Sequence, residues 1–348
     1  MEINKYTINI NSSLKDALIK LNNIPRFLTL FVTDNNDKVV GTLTDGDVRR
    51  GLINGLKVSD KLEKFIFTDF RYLIDGENNF NKLKEFRERK LNIVPLLSKD
   101  KKILKLYNFN ETKSILPVDA VIMAGGEGRR LRPLTEKTPK PLLKIGGKEI
   151  ISYNFDRLLQ FGITNQNITV NYLGEQIKTF CEDYNSGINF KIYTETDFYG
   201  TAGALSMINN FKNDTILLMN SDLLTNIDYE DFYKTFITKK ADMLVASIPY
   251  DVNLPYAVFN DDKNRNIISF KEKPEYTYYA NAGIYLFKKE MLKFIPKNKV
   301  YNATDFMQDV INSGNKLIHY PIRGYWLDIG KHDDFEKAQM DIAHINWD

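Results

Sequence analysis

The chain has 348 residues, enough for about two domains that each bury a core of their own. Its 48 Lys+Arg face 45 Asp+Glu, a net charge of +3, which excludes a global electrostatic pull toward nucleic acid or a membrane surface and makes any basic site local. A single cysteine, Cys181, excludes an internal disulfide, and the three histidines, His319, His332 and His344, lack zinc-ligand spacing.

The N-terminus, Met-Glu-Ile-Asn-Lys, is not followed by an apolar leader, and no apolar run approaches the ~18–20 residues of a membrane helix, so a cytoplasmic protein with no membrane partner is expected. Ser12 or Ser13 can cap a first helix whose Leu14, Ala17, Leu18 and Leu21 share one face. Strands over 27–33 and 38–44 follow across an Asn-Asn turn. A weaker echo comes next: Phe80, Leu83 and Phe86 repeat the helix stripe, and 93–97 and 103–106 repeat the strands, which implies two half-units around one shared core. Residues 1–112 form this first domain and 113–117 a linker.

From Val118 strands and helices alternate, as in a doubly wound α/β sheet. The apolar run Ala120 to Ala124 reads as a buried parallel strand that stops at Gly125, Gly126 and Gly128, where backbone N–H groups can approach an anion. Arg129, Arg130, Arg132, Lys137 and Lys140 follow on a loop stiffened by Pro133 and Pro139, a self-repelling cluster unless an anion joins it. A dinucleotide loop would want glycine at Leu131, and the sole Gly-Lys, Gly147-Lys148, continues into Glu149 and not into the Ser/Thr of a P-loop. Helices over 150–161 and 173–184 and strands over 168–172 and 190–193 are expected. Thr215 to Asn220 reads as a central strand with Ser221-Asp222 at its carboxyl end, where open α/β sheets place ligands. Strands with hairpin turns fill 241–275 and 279–287, and a helix from about Asp334 to Ile345 closes the chain.

The 121–144 string closely resembles the signature of sugar-1-phosphate nucleotidyltransferases, the nucleotide-sugar pyrophosphorylases. Further elements match in the family's order: Gly200-Thr201-Ala202-Gly203, Asn220-Ser221-Asp222, Glu272-Lys273-Pro274, Asn281-Ala282-Gly283 and Trp326-Leu327-Asp328-Ile329-Gly330. The resemblance implies a Rossmann-like mixed sheet in an α/β catalytic domain over 118–348. It implies Arg130 and Lys140 as catalytic cations, with Asp222 and Asp328 holding Mg²⁺. Ala124, Gly125, Gly126, Gly128, Gly200, Thr201 and Ala202 would line the nucleotide site, Glu195 lying just upstream of its second segment. Glu272, Lys273, Asn281 and Gly283 would hold the sugar phosphate. Ala257 stands where many relatives have glycine close to a sugar hydroxyl. In the first domain, the segment from Gly41 to Arg50 resembles the close of a CBS motif, which implies an α+β CBS pair, a Bateman module, with Thr44 and Asp47 facing the ribose of a regulatory nucleotide. The second half carries Lys105, Asn108 and Glu111 at the equivalent places.

The implied reaction is attack of a hexose 1-phosphate on the α-phosphorus of a nucleoside triphosphate, releasing pyrophosphate. The long signature resembles the guanylyl branch, so GTP is favoured. The fused CBS pair further resembles the guanylyltransferases of bacterial nonulosonic (legionaminic) acid pathways, so glucosamine 1-phosphate or mannose 1-phosphate is expected. A thymidylyl- or uridylyltransferase acting on glucose 1-phosphate is the alternative, and a non-catalytic nucleotide-sensing CBS protein is the rival from another class. A homo-oligomer is compatible with the sequence, and no nucleic-acid partner is expected.

Overall fold

The computed structural model describes residues 2–24, 27–77, 79–184 and 187–347. Two compact units divide the chain, Met1–Ile115 and Leu116–Asp348.

The first unit repeats one small motif. Thr29–Thr33 runs parallel to Thr7–Asn9 and antiparallel to Val39–Thr44, and in the second half Ile93–Leu97 runs parallel to Leu73–Ile74 and antiparallel to Ile103–Asn108. Helix Leu14–Asn23 buries Leu14, Ala17 and Leu21, and helix Phe80–Glu88 buries Leu83 and Phe86. Ser13, not Ser12, is the cap: its hydroxyl accepts from the Asp16 N–H, and Asp16 reaches back to the Ser13 N–H. Ile93, Leu97 and Leu106 of the second half join the apolar cluster of the first, so the two halves share a core.

The second unit is built on a seven-stranded mixed sheet. Its order is Asn189–Thr194, Asn165–Val170, Asp119–Ala124, Thr215–Asn220, Glu275–Lys288, Met243–Asn253 and Leu317–Pro321. The first four strands are mutually parallel, and Glu275–Lys288 runs antiparallel to the fourth. Ala120, Val121, Ile122 and Leu218 are fully buried, as expected of central strands covered on both faces. Because the four strands are parallel, their carboxyl ends share one edge. Gly125, Asn171, Glu195 and Ser221 are each the residue that follows one of these ends.

Helix Ile150–Gln160 covers the sheet with Ile150, Ile151, Phe155 and Leu158, and its buried Arg157 donates to the carbonyls of Asn226, Ile227 and Trp347. That cation therefore ties the end of the chain to the central layer. The closing helix is shorter than its apolar pattern suggests, spanning His332–Asp341 before a 3-10 turn at Ile342–His344. Asp334 fixes its start by accepting from the backbone of Gly330 and Lys331. A long two-stranded arm, the outer parts of Met243–Asn253 and Glu275–Lys288, extends from the sheet and carries the antiparallel ribbon Val258–Asp261 with Ile267–Lys271.

Leu116 is buried in the second unit and donates its N–H to the Phe161 carbonyl. A fragment of residues 113–348 keeps that contact and every strand of the large sheet. It is expected to be soluble and to melt in one cooperative transition by circular dichroism; an insoluble fragment would show that the two units cannot be separated.

Candidate active site

The carboxyl edge of the four parallel strands forms one wall of a cavity of ≈ 310 Å³. Gly125, Gly126, Gly128, Arg130, Lys140, Glu195, Gly200, Thr201, Asn220 and Asp222 all line it. Most of the residues singled out from three separated motifs thus meet in one place.

The glycine loop is held by its own neighbours. Gly128 adopts a left-handed conformation (φ 62°), and a Cβ there would lie 3.0 Å from Thr135 and 3.1 Å from Lys140. The Thr135 hydroxyl donates to the Gly128 carbonyl at 2.9 Å, while Tyr172 donates to the Thr135 and Glu136 carbonyls and Gln176 to that of Lys137. Neither Tyr172 nor Gln176 stands out in the sequence, yet they fix the backbone on which the cations sit. Glu127 pairs with Arg129 at 2.6 Å and with Arg132 at 3.4 Å. Arg130 has no such partner among the described residues, and its guanidinium lies beside Gly330. Of the three arginines it is the one poised for an anion.

The two acids are brought together by a short ladder. Leu223–Thr225 pairs antiparallel with Trp326–Asp328, with Leu223 opposite Asp328, and the Ile329 N–H donates to the Asp222 carbonyl. Buried Asn154 donates to the carbonyls of Ser221 and Leu223, fixing the turn that carries Asp222. Lys140, only 8% exposed, is ion-paired with Asp222 and lies 3.9 Å from Asp328 Oδ1. Burial and the neighbouring Asp222 charge raise the Asp328 pKa, and Lys140 and Arg130 oppose the rise.

One oxygen of each acid, Asp222 Oδ1 and Asp328 Oδ1, is buried with no hydrogen-bond partner among the described residues. Asp222 lines the cavity and Asp328, absent from its lining, stands beside it; two adjacent carboxylates with unsatisfied oxygens are a donor set for a hard divalent cation that takes its remaining ligands from phosphate and water, so the pair fits Mg²⁺.

Several expected residues lie off the cavity wall or are also required by packing. Ala124 and Ala202 are buried behind the wall and do not line the cavity, because strand and helix packing turns them into the core. Gly200 and Gly203 are required by close packing: a Cβ would fall 2.8 Å from the Tyr301 carbonyl oxygen at the first and 2.7 Å from that of Lys299 at the second. The Thr201 hydroxyl accepts from the Ala303 N–H at the start of helix Ala303–Asn312. Glu272 and Lys273 are exposed on the turn that ends the ribbon and are absent from the cavity lining, as are Asn281 and Gly283. Gly283 nevertheless supports the wall, since its missing Cβ leaves room for the Asn220 amide. Asn281 bonds to Tyr285 and to the Gly283 N–H.

Glu195 is the cavity residue that the motifs underplay. It is 7% exposed, lines the cavity, accepts from the Tyr199 N–H at 3.1 Å, and has Oε1 beside Gly125. Burial raises its pKa, and the Tyr199 hydrogen bond partly offsets the rise.

A second cavity, ≈ 410 Å³, lies within the first unit and is lined by Thr44, Phe67, Phe70, Arg71, Arg89 and Lys90 among others. Asp47 does not line it, contrary to the expectation that it faces a ribose. Both of its oxygens are engaged, Oδ2 with the Thr44 N–H and hydroxyl and Oδ1 with Arg50, in the capping box of helix Asp45–Ile53. In the second half Asn108 accepts from the Asn110 N–H and Lys105 lies over the Tyr107 ring.

This mixed sheet, with a glycine loop and paired acids at one edge, defines an α/β fold whose cavity lies at the carboxyl ends of its parallel strands. Residues 119–345 match the family described as nucleotidyl transferase, and residues 1–54 match the CBS domain. The chain belongs to the nucleotidyl transferase family. It is 29% identical over 253 residues to glucose-1-phosphate adenylyltransferases of Bacillus thuringiensis and Bacillus cytotoxicus, covering 64% of this chain and 67% of each relative. A crystal structure from Bacillus anthracis, provisionally named as a glucose-1-phosphate thymidylyltransferase and bound to sucrose, superposes with a TM-score of 0.53 at 27% identity. It covers 66% of this chain and 97% of its own. Among the described residues no helix is long and apolar enough to cross a membrane.

Asp222→Asn and Asp328→Asn are each expected to lower turnover by orders of magnitude with unchanged circular dichroism, since each removes one of the two charges that oppose Lys140 and form the donor set for a cation. Near-normal turnover in either variant would remove that residue from the site.

Proposed function

We propose that the protein transfers a nucleoside monophosphate from a triphosphate to a hexose 1-phosphate. The sugar-phosphate oxygen bonds to the α-phosphorus, the bond from that phosphorus to the bridging oxygen of the β-phosphate breaks, and pyrophosphate leaves. The observation that carries the reading is the Asp222–Lys140–Asp328 cluster beside the glycine loop. No general base is required, because a phosphate monoester with a second pKa near ~6 reaches the site largely dianionic at neutral pH. The work is positioning and charge neutralisation.

In this reading the backbone of Gly125 to Gly128 and the Arg130 guanidinium hold the triphosphate and the departing pyrophosphate. Lys140, held by the two acids, presents its ammonium to the reacting phosphates. Mg²⁺ bound by Asp222 and Asp328 would supply further neutralisation of phosphate charge. Glu272, Lys273, Asn281 and Gly283 are assigned to the sugar phosphate, which would approach past Asn220, the wall residue that Gly283 touches.

The base is proposed to be guanine, and the support is Glu195. A carboxylate is acceptor-only, and guanine presents adjacent N1–H and N2–H donors to it. Uracil and thymine offer one N–H flanked by two carbonyls that a carboxylate would repel, and adenine offers a donor beside an acceptor. GTP with glucosamine 1-phosphate or mannose 1-phosphate is therefore the favoured pair. A second reading of the sugar, glucose 1-phosphate, is favoured by the activities named for the relatives.

Pyrophosphate release measured for four triphosphates against glucosamine, N-acetylglucosamine, glucose and mannose 1-phosphates tests the assignment. GTP is expected to lead, and Glu195→Gln to lower kcat/KM for GTP by ~10–100-fold, the worth of a charge-assisted hydrogen bond. A clear preference for ATP, UTP or TTP would overturn the guanine assignment and leave the reaction type standing.

The CBS unit is proposed to bind a regulatory nucleotide in its own cavity, with Arg71, Arg89 and Lys90 facing the phosphates and Phe67 and Phe70 the base. Arg71→Ala with Arg89→Ala is expected to abolish any change in rate caused by AMP, ATP, GMP or GTP analogues and to leave basal turnover intact. Asp47→Ala is expected instead to lower the melting point of the first unit by loss of a cap worth ~1 kcal/mol. An unaltered nucleotide response in the arginine double variant would refute the assignment.

A further inference from the structure

The ladder that brings the two acids together is short, and its register decides where Asp328 lies. Leu223 faces Asp328, Leu224 faces Leu327 and Thr225 faces Trp326. A slip of one residue would carry Asp328 about 3.3 Å along its strand and turn its carboxylate to the opposite face, away from Asp222. Two strands of this length do not hold a register by themselves.

The end of the ladder remote from the acids is locked by side chains. Asn226 donates its backbone N–H to the Tyr325 carbonyl at 3.1 Å and accepts the Tyr325 N–H on its side-chain oxygen at 2.6 Å, and the Thr225 hydroxyl donates to the same carbonyl. Gly324 makes this lock possible, because a Cβ there would overlap the Asn226 side-chain oxygen.

Asn226 is held in turn by Arg157, a residue only 4% exposed. The guanidinium donates to the Asn226 carbonyl at 2.9 Å, to that of Ile227 at 3.1 Å and to that of Trp347 at 2.6 Å, while the Asn226 amide donates to the Asn346 carbonyl at 2.8 Å. A rigid fork of charged donors fixes several carbonyls at set angles, which a single amide or hydroxyl cannot do. Covering the sheet would need only an apolar side chain at this helix position, and a buried cation is costly unless its bonds are used.

We propose that Arg157 is a positioning residue for the acid pair: by fixing Asn226 it sets the register of the ladder, and so the place of Asp328 beside Asp222. The inference rests on the reading that these two acids hold a divalent cation. Residues that orient metal ligands from behind commonly govern metal affinity by ~10–100-fold.

Two measurements on the full chain test this without turnover. Hydrogen exchange read by mass spectrometry reports the ladder, and titration with Mn²⁺ alone, followed by electron paramagnetic resonance, reports the acid pair. Arg157→Met and, separately, Gly324→Ala are expected to speed exchange over 223–226 and 325–329 while 119–124 and 215–220 keep their protection, and to weaken Mn²⁺ binding by ~10-fold. Arg157→Lys, which keeps the charge and loses the fork, is expected to weaken it less and decides the matter if Arg157→Met does not fold. Adding Arg157→Lys to Asp328→Asn is expected to cause no further loss of Mn²⁺ affinity, a coupling that general loosening of the fold would not produce. Wild-type Mn²⁺ affinity or wild-type ladder exchange in the Arg157 variants, or full additivity with Asp328→Asn, overturns the proposal and leaves the metal assignment standing if Asp222→Asn and Asp328→Asn themselves weaken Mn²⁺ binding. Mn²⁺ binding that neither acid substitution weakens overturns both.

Discussion

The structure depends most on holding two half-buried carboxylates against one buried ammonium. Lys140 is 8% exposed and pairs with Asp222, and Asp328 stands 3.9 Å away. Burying such groups is costly unless they are paired and held, and the fold holds them at every point. The sheet places Asp222 after a central strand, the Leu223–Thr225 ladder draws Asp328 beside it, and Asn154 fixes the turn between. Neutralisation is incomplete, since two acids meet one lysine, and burial with the Asp222 charge raises the Asp328 pKa. The unsatisfied oxygens therefore point to a function and not to a stability device.

The rest of the site follows from strand direction. Four parallel strands end on one edge, so the glycine loop, Glu195 and Asp222 arrive there although they are far apart in the chain. The basic loop would repel itself if free. Glu127 takes up Arg129 and Arg132, Tyr172 and Gln176 pin the backbone, and Arg130 has no carboxylate partner of this kind among the described residues.

Much of this was legible from residue order. Glycines after an apolar strand, a cation cluster between prolines, and an aspartate at a strand end each report a local constraint that sequence records directly. Asp47 misled because a capping box and a ribose contact use the same residue types at the same spacing, whereas Thr44 does line the cavity of the first unit. Gly200 and Gly203 had a second explanation, close passage of the Lys299–Asn302 backbone, which pairs residues about a hundred positions apart and leaves no local pattern. Glu195, Asn154 and Tyr172 gain their roles only when strands are laid side by side. The arm was read as strands with hairpin turns, but periodicity does not tell an apolar face that is buried from one that stays exposed.

The proposed reaction is defined by which bond forms and which breaks at the Asp222–Asp328 edge. The direct measurement uses hexose 1-phosphate labelled with ¹⁸O throughout its phosphate, incubated with GTP and Mg²⁺, with products analysed by ³¹P NMR and mass spectrometry. The account predicts a nucleoside diphosphate sugar that retains all of the label, including the bridging oxygen, together with unlabelled pyrophosphate. Release of labelled inorganic phosphate, or a product in which the sugar has lost its labelled phosphate, would contradict it.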